Sequence, residues 1–322
     1  MIVTLTANPS IDRTVELAGP LVRGGVQRAA SATAQAAGKG VNVARGLAAA
    51  GVHTVAILPG DATDPVVQGL VEDALPHRAL PIGQALRCNI TLAEPDGTTT
   101  KINEPGPRLS AAHLRALADA VVAEAANAAW VVLAGSLPPG VPDDFYATLT
   151  LQLRRELGAA APLVAVDTSG DPLRALFAAG EASAPGLVKP NAEELAELTG
   201  TGSEAEFESD PVRAADAARQ LVGRGTGAVL ATLGAKGAVL VTADGAWHAT
   251  HPPVIARSTV GAGDSSLAGY LLAHSRGASA PDCLRQAVAH GSAAVSLPGT
   301  TIPSPSQTTP DAVAVAVLQP LP

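Results

Sequence analysis

Short, continuous apolar runs, each separated from the next by a longer Ala- and Leu-rich stretch, constrain this chain most. The runs are bounded by Gly, Pro or Asp and do not alternate with polar residues, as expected for strands buried on both faces. They are Ile2–Thr6, Thr54–Leu58, Trp130–Ala134, Leu163–Asp167, Leu187–Lys189 and Ala228–Thr232. Helical patterns lie between them at Val41–Ala50, Ala111–Ala126, Asp143–Leu157 and Pro211–Val222. This repetition predicts an α/β fold with a doubly wound, mostly parallel sheet flanked by helices.

Two more polar segments, at approximately 12–32 and 87–102, interrupt this pattern. The second holds two alternating stretches separated by Glu94-Pro-Asp-Gly97, which indicates a β-hairpin. We therefore expect a small β-sheet lid, inserted in a single domain that covers residues 1–322. After the Pro- and Ser-rich loop at 303–310 we expect a last helix.

Composition excludes several classes of protein. The formal net charge is −8 and Lys and Arg form no block, so neither nucleic acid nor an anionic membrane is an expected partner. Cys88 and Cys283 are the only cysteines, and they lack metal-ligand spacing. The chain begins with an apolar strand rather than a signal peptide, and no run reaches the roughly 18 apolar residues of a membrane span. We expect a cytoplasmic protein.

The strongest local motif is Thr259-Val-Gly-Ala-Gly-Asp-Ser265, which leads directly into a helical pattern. Its glycines allow a sharp turn, so the N–H groups of Gly261, Ala262 and Gly263 would point at one spot at the positive end of the helix. That arrangement predicts an anion site. Asp264 at its rim would accept a proton from a hydroxyl attacking a phosphoryl group. The same letters also fit a plain glycine turn capped by an Asp.

A second Gly-rich turn, Ala37-Gly-Lys-Gly-Val-Asn-Val-Ala-Arg45, also opens a helix. The Asn42 amide both donates and accepts hydrogen bonds, which suits sugar hydroxyls, although such a turn alone is more often a simple helix start. The chain has no G-x-x-x-x-G-K-[ST] segment. The nicotinamide-binding G-x-G-x-x-G pattern fails as well, because Ser266 stands in place of the third glycine.

Together these two motifs resemble the signatures of the ribokinase-like (PfkB) carbohydrate kinases, in the order in which that family carries them. The resemblance extends from Asn8-Pro-Ser-Ile-Asp12 to Gly291-Ser-Ala-Ala-Val-Ser-Leu-Pro-Gly299. It implies a ribokinase-like fold with a lid and an ATP-dependent sugar kinase. Asp264 would be the catalytic base, and the amides of Gly261, Ala262 and Gly263 would form the anion hole.

Other motifs resemble the hexose-phosphate branch of the family, which comprises 1-phosphofructokinases, tagatose-6-phosphate kinases and minor 6-phosphofructokinases. They are Thr100-Lys-Ile-Asn-Glu-Pro-Gly-Pro107, Gly135-Ser-Leu-Pro-Pro-Gly140 and Lys189-Pro-Asn-Ala-Glu-Glu194. Asn8-Pro-Ser-Ile-Asp-Arg-Thr14 and Asn103-Glu-Pro-Gly-Pro107 are most similar to 1-phosphofructokinases. Ser258 stands where ribokinases carry an Asp of a monovalent-cation site, so we do not expect potassium activation through that element.

The resemblance also implies a substrate site, built from Asp12, Arg28, Gly38, Lys39, Asn42, Arg87 and Ser136. Asp12 is expected at the end of the first strand, where α/β proteins bind ligands, although a turn Asp fits equally well. Arg28 and Arg87 would hold the substrate's phosphate, but an Arg in a polar strand is usually only solvated. Ser136, which would approach the sugar, also fits a loop-start cap.

For the nucleotide, the resemblance implies contacts from Lys189 and Gly263 and from the strand–turn–strand segment that follows. That segment is Thr232, Leu233, Gly234, Ala235, Lys236 and Gly237. Asn191 and Glu194 would organise Mg²⁺, largely through water. On spacing alone they fit a helix cap better, and the segment at 232–237 fits a simple hairpin.

The implied reaction is transfer of a phosphoryl group from ATP to fructose 1-phosphate, giving fructose 1,6-bisphosphate. Tagatose 6-phosphate and fructose 6-phosphate are the alternative substrates. A catalytically silent sugar-phosphate sensor and a nicotinamide-dependent oxidoreductase are alternatives from other functional classes. Relatives of this kind often dimerise through the lid, so we expect a homodimer.

Overall fold

The protein is described here from a computed structural model that covers residues 1–320. Its strands are β1 (Ile2–Thr6), β2 (Ser10–Leu17), β3 (Ala29–Ala37), β4 (Thr54–Pro59), β5 (His77–Leu80), β6 (Arg87–Ala93), β7 (Thr99–Asn103), β8 (Trp130–Ala134), β9 (Leu163–Asp167), β10 (Leu187–Val188), β11 (Ala228–Thr232), β12 (Ala238–Thr242), β13 (Gly245–Thr250) and β14 (Ala314–Pro320). The predicted strands are confirmed, most of them with the same bounds.

The helices that connect these strands are α1 (Lys39–Ala49), α2 (Pro65–Glu72), α3 (Ala111–Ala125), α4 (Phe145–Leu157), α5 (Gly170–Ala178), α6 (Ala192–Thr199), α7 (Glu204–Ser209), α8 (Pro211–Val222), α9 (Ala262–Ser275) and α10 (Ala280–Val295). Short 3₁₀ turns occur at 158–160, 181–183, 234–236, 305–307 and 310–312. Within residues 1–320, no helix combines the length and the apolar character needed to cross a membrane.

The main sheet has ten strands in the order β14-β13-β12-β11-β10-β9-β8-β1-β4-β5. Pairing is parallel from β5 to β11 and antiparallel from β11 to β14. After β1 the chain builds outward through β4 to β5, then returns to the other side of β1 and continues through β8. The strand order therefore reverses between β1 and β8, which is where α/β sheets open a ligand crevice at their carboxyl ends.

Helices cover both faces of this sheet. On one face α3, α4, α6 and α8 bury residues such as Leu117, Tyr146 and Leu221. On the other face α1, α9 and α10 bury Leu47 and Leu271. Most of the core is Ala, Val and Leu, and aromatic residues are only 2% of the chain. The many Ala side chains allow helices to approach the sheet and one another closely.

A separate four-stranded sheet, in the order β3-β2-β6-β7, confirms the predicted small sheet. Its hairpin turns at 94–97, where the Gly97 N–H donates to the Glu94 carbonyl at 3.0 Å. The first segment is longer than expected, running from Ser10 to Ala37. Asp12 consequently lies within the lid strand β2, and its predicted place at the end of the first strand is wrong. The chain leaves β1 at Thr6 and enters the lid almost at once.

The predicted last helix is also wrong, because residues 310–312 form a 3₁₀ turn and residues 314–320 form the edge strand β14, antiparallel to β13. The Ala314-Val-Ala-Val317 alternation has the period of a strand, and the exposed edge of β13 offers backbone partners that no helix could use. Sequence composition alone does not reveal that the open edge of β13 lies beside these residues.

The hairpin between β11 and β12 provides a test of backbone fit. Gly237 has φ +90°, and a Cβ there would overlap the Ala249 carbonyl oxygen, whereas Gly180 has φ +87° and open space around it. We expect Gly180→Ala to cost about 1–2 kcal/mol from positive-φ strain alone. Gly237→Ala should cost about 1–3 kcal/mol more, because the neighbouring strand must move. Urea unfolding of both variants measures the difference, and equal losses would contradict this account.

Candidate active site

A cavity of about 1020 Å³ lies between the carboxyl edge of the main sheet and the lid. It brings together both Gly-rich motifs, although their residues are far apart in the chain. The predicted residues at its wall are Asp12, Gly38, Lys39, Asn42, Arg87, Lys189, Asn191, Glu194, Thr232, Gly234, Ala235, Lys236, Gly237, Gly261, Ala262, Gly263 and Asp264. Most of the predicted site residues therefore surround one volume.

The turn before α9 has the conformation that its glycines suggest. Gly261 is left-handed (φ +78°) and no side chain caps the helix, so α9 begins at Ala262 with its N-terminus at the cavity wall. A Cβ on Gly263 would lie 3.1 Å from Lys189 Nζ, which places that ammonium group against the first turn. A helix N-terminus and an ammonium group at one spot favour a bound anion.

Asp264, in the first turn of α9, is the buried carboxyl group at this spot, with 6% of its surface exposed. The Asn42 amide donates a hydrogen bond of 2.8 Å to its Oδ2. Burial and the nearby Asp167 charge raise the pKa of Asp264 to about 6, against the opposing effects of Lys39, Asn42 and Lys189. A carboxylate with a raised pKa is a stronger base than an ordinary Asp and is still ionised at neutral pH.

Asp167, at the end of β9, joins two lysines from other parts of the chain. Its side chain is fully buried, and its oxygens lie 2.6 Å from Lys39 Nζ and 3.1 Å from Lys189 Nζ. Burial alone would raise the pKa of Asp167, but the two ammonium groups outweigh it and hold that pKa below its usual value. Burial would likewise lower the pKa of Lys39, yet the Asp167 and Asp264 carboxylates raise it. Lys39 therefore stays charged beside Asp264.

The lid contributes a polar cluster to the opposite wall. Ser10 Oγ donates to Asp12 Oδ1 at 2.7 Å, and the Asn89 amide donates to the same oxygen at 3.0 Å. The first contact lies within β2, and the second crosses to the parallel neighbour β6, where Asn89 is directly opposite Asp12. They hold the Asp12 carboxylate at the cavity wall in one orientation, with hydrogen-bonding capacity left for a ligand.

At the far end of the cavity, Asn191 and Glu194 form a reciprocal helix cap on α6. The Glu194 N–H donates to Asn191 Oδ1 at 2.7 Å, and the Asn191 N–H donates to Glu194 Oε2 at 2.9 Å. The hairpin at 232–237 lies beside them, facing the loop that follows β13. Both structural alternatives, a helix cap and a hairpin, are thus realised here at the wall of a cavity.

A smaller cavity of about 470 Å³ adjoins the first and shares Arg87 with it. Ser136 lines this second cavity, together with Asn8, Pro105 and the residues at the start of α5. It lies where the ends of β1 and β8 meet, because Asn8 and Ser136 follow those two neighbouring strands.

Two predicted site residues are not brought to either cavity. Leu233 is fully buried beneath the hairpin, and Arg28 is exposed in the segment before β3. Asp167 and Asn89 line or support the site but are missing from the sequence prediction. Asp167 had a usable signal in the sequence, since it is the polar last residue of a predicted buried strand.

The geometry favours a phosphoryl-transfer site over a nicotinamide-binding site. No strand leads directly into the glycine turn at 261, because β13 ends at Thr250 and an irregular segment follows. The dinucleotide motif requires a strand immediately before its glycines. At one spot the cavity instead combines the buried Asp264 carboxylate, the Lys39 and Lys189 ammonium groups and a helix N-terminus, which are groups of the kind that phosphoryl transfer uses.

Comparisons with known proteins also indicate an enzyme that transfers phosphoryl groups. Residues 5–307 match the model of the pfkB family carbohydrate kinases. A 1-phosphofructokinase of Xanthomonas campestris is 37% identical over 84% of this chain and 83% of its own length. An ATP-dependent 6-phosphofructokinase isozyme 2 of Mycobacterium tuberculosis is 34% identical over 93% of this chain and 85% of its own.

Solved structures give the same result. The phosphofructokinase-2 of Escherichia coli, crystallised with substrates and products, superposes with a TM-score of 0.85 at 31% identity. The match covers 95% of this chain and 96% of that one. The fold is therefore ribokinase-like, and the chain is an enzyme that transfers phosphoryl groups to an alcohol. This protein belongs to the pfkB family of carbohydrate kinases.

Proposed function

We propose that this enzyme transfers the terminal phosphoryl group of ATP to fructose 1-phosphate, giving fructose 1,6-bisphosphate and ADP. The observation that carries the proposal is Asp264, buried at the N-terminus of α9 between Asn42 and two lysines, with the lid cluster across the cavity. The 1-phosphofructokinase relatives and the motifs at 8–14 and 103–107 support this substrate.

In the proposed mechanism, Asp264 accepts the proton of the free primary hydroxyl of the sugar phosphate as that oxygen attacks the terminal phosphorus. A bond forms between this oxygen and phosphorus, and the bond from phosphorus to the bridging oxygen of the leaving ADP breaks. The hydrogen bond from Asn42 holds the carboxylate in place, so one of its oxygens can face the hydroxyl.

The moving phosphoryl group carries negative charge, which the N-terminus of α9 is suited to stabilise. The Lys189 ammonium lies against the first turn of α9, where Asp167 keeps it in position, and the amides of Gly261 and Gly263 would face the same phosphoryl group. The Ala262 N–H, which the sequence also predicts in the anion hole, instead donates to the Thr259 carbonyl oxygen at 3.4 Å. These groups are oriented before the reaction starts, so little reorganisation is needed when charge develops. Closure of the lid over the cavity would exclude water, which otherwise competes with the sugar hydroxyl.

The nucleotide would lie along Lys189 and the hairpin at 232–237. Mg²⁺ ordinarily takes one or two carboxylates, substrate phosphates and several waters. The donors here fit that mode, because one carboxylate, Glu194, and one side-chain amide, Asn191, lie together at the cavity wall. Asn191 and Glu194 would hold the ion through water, and when bound it would neutralise phosphate charge.

The sugar phosphate would occupy the lid side of the site. Asp12, Gly38, Lys39 and Asn42 face the large cavity and are suited to sugar hydroxyls. Arg87, which lines both cavities, and Ser136 in the smaller one are suited to the substrate's own phosphate. A phosphate-holding role for Arg28 stays a prediction that would require the exposed segment before β3 to move.

Two expectations about the whole molecule also stay proposals. A homodimer through the lid is supported by the exposed apolar side chains of Val22, Val26 and Ile102 in and beside the lid strands. Light scattering that gave a monomer mass would contradict it. A cytoplasmic location stays a prediction from the sequence.

A coupled assay with ATP tests the substrate. We expect the highest kcat/KM with fructose 1-phosphate, lower values with fructose 6-phosphate and tagatose 6-phosphate, and the lowest with unphosphorylated sugars, which lack the group that Arg87 would bind. Fructose 6-phosphate is the strongest competitor, since a relative is named for it. Preference for unphosphorylated sugars would refute the proposal, and no turnover of any sugar would favour the sensor.

Replacement of the base tests the mechanism. We expect Asp264→Asn to lower kcat by about 10²–10⁴-fold, the usual contribution of a general base, with little change in ATP affinity measured by calorimetry. The matched control is Asp282→Asn, another Asp in a first helical turn, which lies outside both cavities. Near-normal kcat in Asp264→Asn would remove this residue from the role of base.

The pH profile tests the electrostatics. The base works as a carboxylate and its pKa is raised to about 6, so we expect kcat/KM to fall tenfold per pH unit below about pH 6. The folded-state pKa lies above the unfolded value, so protonation of Asp264 by itself stabilises the fold as pH falls, and it cannot cause unfolding there.

The variant Asp167→Asn tests whether the acid limb of this profile reports the pKa of Asp264. It removes the neighbouring charge that raises the pKa of Asp264 and leaves the lysines that lower it, so the acid limb should move to lower pH. An unchanged limb in this variant, or a flat wild-type profile down to pH 5 with circular dichroism unchanged, would contradict the assignment of the limb to Asp264.

A further inference from the structure

Asn8 is a buried polar residue that has no role in the proposed mechanism. It follows β1 by two positions, at the point where the strand order reverses, and only 4% of its surface is exposed. Its side chain reaches to two other parts of the chain, the loop after β8 and the segment after the lid strand β7.

The hydrogen bonds of Asn8 determine which way its amide faces. Nδ2 lies 3.1 Å from the Pro105 carbonyl oxygen and 3.3 Å from Ser136 Oγ. The Pro105 carbonyl can only accept, so the nitrogen rather than the oxygen of the amide must face it. The same nitrogen then donates to Ser136 Oγ, and the Ser136 hydroxyl proton is free to be donated elsewhere.

Gly106 fixes this arrangement from the other side. It has φ +90°, and a Cβ at this position would overlap Asn8 Oδ1, so the glycine backbone packs directly on the amide. Asn8 Oδ1 is buried and has no hydrogen-bond partner among the described residues. A buried acceptor without a partner lowers the stability of the fold. We therefore attribute the contribution of Asn8 to its donor, the Nδ2 amide group.

We propose that Asn8 is a positioning residue that holds the Ser136 hydroxyl as a hydrogen-bond donor toward the substrate's phosphate in the smaller cavity. This inference rests on the proposed function, in which Ser136 and Arg87 hold that phosphate. Asn8, Ser136 and Arg87 all line the smaller cavity, so a ligand there would meet the free proton of Ser136 beside the guanidinium group. Through its hydrogen bond to the Pro105 carbonyl oxygen, Asn8 also links the segment after β7 to the smaller cavity.

A double-mutant cycle with Asn8→Ala and Ser136→Ala tests this. We expect each single change to raise KM for the hexose phosphate about 5- to 20-fold, as for the loss of one hydrogen bond to a charged group. Both kcat and the KM for ATP should stay within about twofold, since uniform binding of one substrate is lost. The double variant should be no worse than the more affected single one, because Asn8 acts through Ser136.

Asn8→Asp separates hydrogen-bond direction from packing. The substitution keeps the size of the side chain but replaces the donor with an acceptor, so the Ser136 proton would turn toward the new carboxylate and away from the phosphate. We expect a larger rise in KM than for Asn8→Ala. If Asn8 only packed against Gly106, the order would be reversed. Thr150→Val, which removes a buried hydroxyl hydrogen bond to Tyr146 outside both cavities, should lower the melting temperature without changing either KM.

Each contrary outcome has a distinct meaning. Additive effects in the double variant, a normal KM in Asn8→Asp, or a raised KM for ATP would overturn the role of Asn8 while leaving the proposed function intact. Wild-type enzyme that phosphorylates no hexose phosphate in the same assay would overturn the proposed function, and this inference would fall with it.

Discussion

Much of the site depends on one buried carboxylate, Asp167, which holds the two ammonium groups of Lys39 and Lys189. A buried ion cluster of this kind is stable only when every member keeps its partners, because an unpaired charge in the interior is strongly destabilising. The three residues come from β9, the start of α1 and the end of β10. Their attraction therefore joins three elements at the carboxyl edge of the sheet and gives the cavity its positive groups.

The same cluster sets the chemistry of Asp264. The Asp167 charge and burial raise the pKa of Asp264, while Lys39, Asn42 and Lys189 oppose that rise. The balance leaves a base that is ionised at neutral pH and more basic than an exposed Asp. Such tuning depends on distances within one crowded volume, so it belongs to the tertiary structure and not to any single motif.

Side chains at the lid wall of the cavity are likewise held in place by their neighbours. Asp12 is held by Ser10 and Asn89, and Ser136 by Asn8, so several side chains that face the cavity are each oriented by a neighbour behind them. Orientation of this kind matters because a hydroxyl or carboxylate can face several ways, and binding is weaker when the ligand must first select one.

Sequence by itself determined the α/β class, the bounds of most of the strands that it predicted, the small sheet and both Gly-rich turns, because period, strand length and glycine placement are local properties. Family resemblance added the expectations that Asp264 is the base and that residues 232–237 contact the nucleotide. Only the tertiary structure decided that Asp12 lies in a lid strand, that residues 314–320 form strand β14, and that Arg28 stands away from the cavities. It also showed that Asp167 pairs with Lys39 and Lys189, that Asn89 bonds Asp12, and that Asn8 bonds Ser136. These facts depend on which strands become neighbours, and burial and pairing between distant residues leave no periodic trace along the chain.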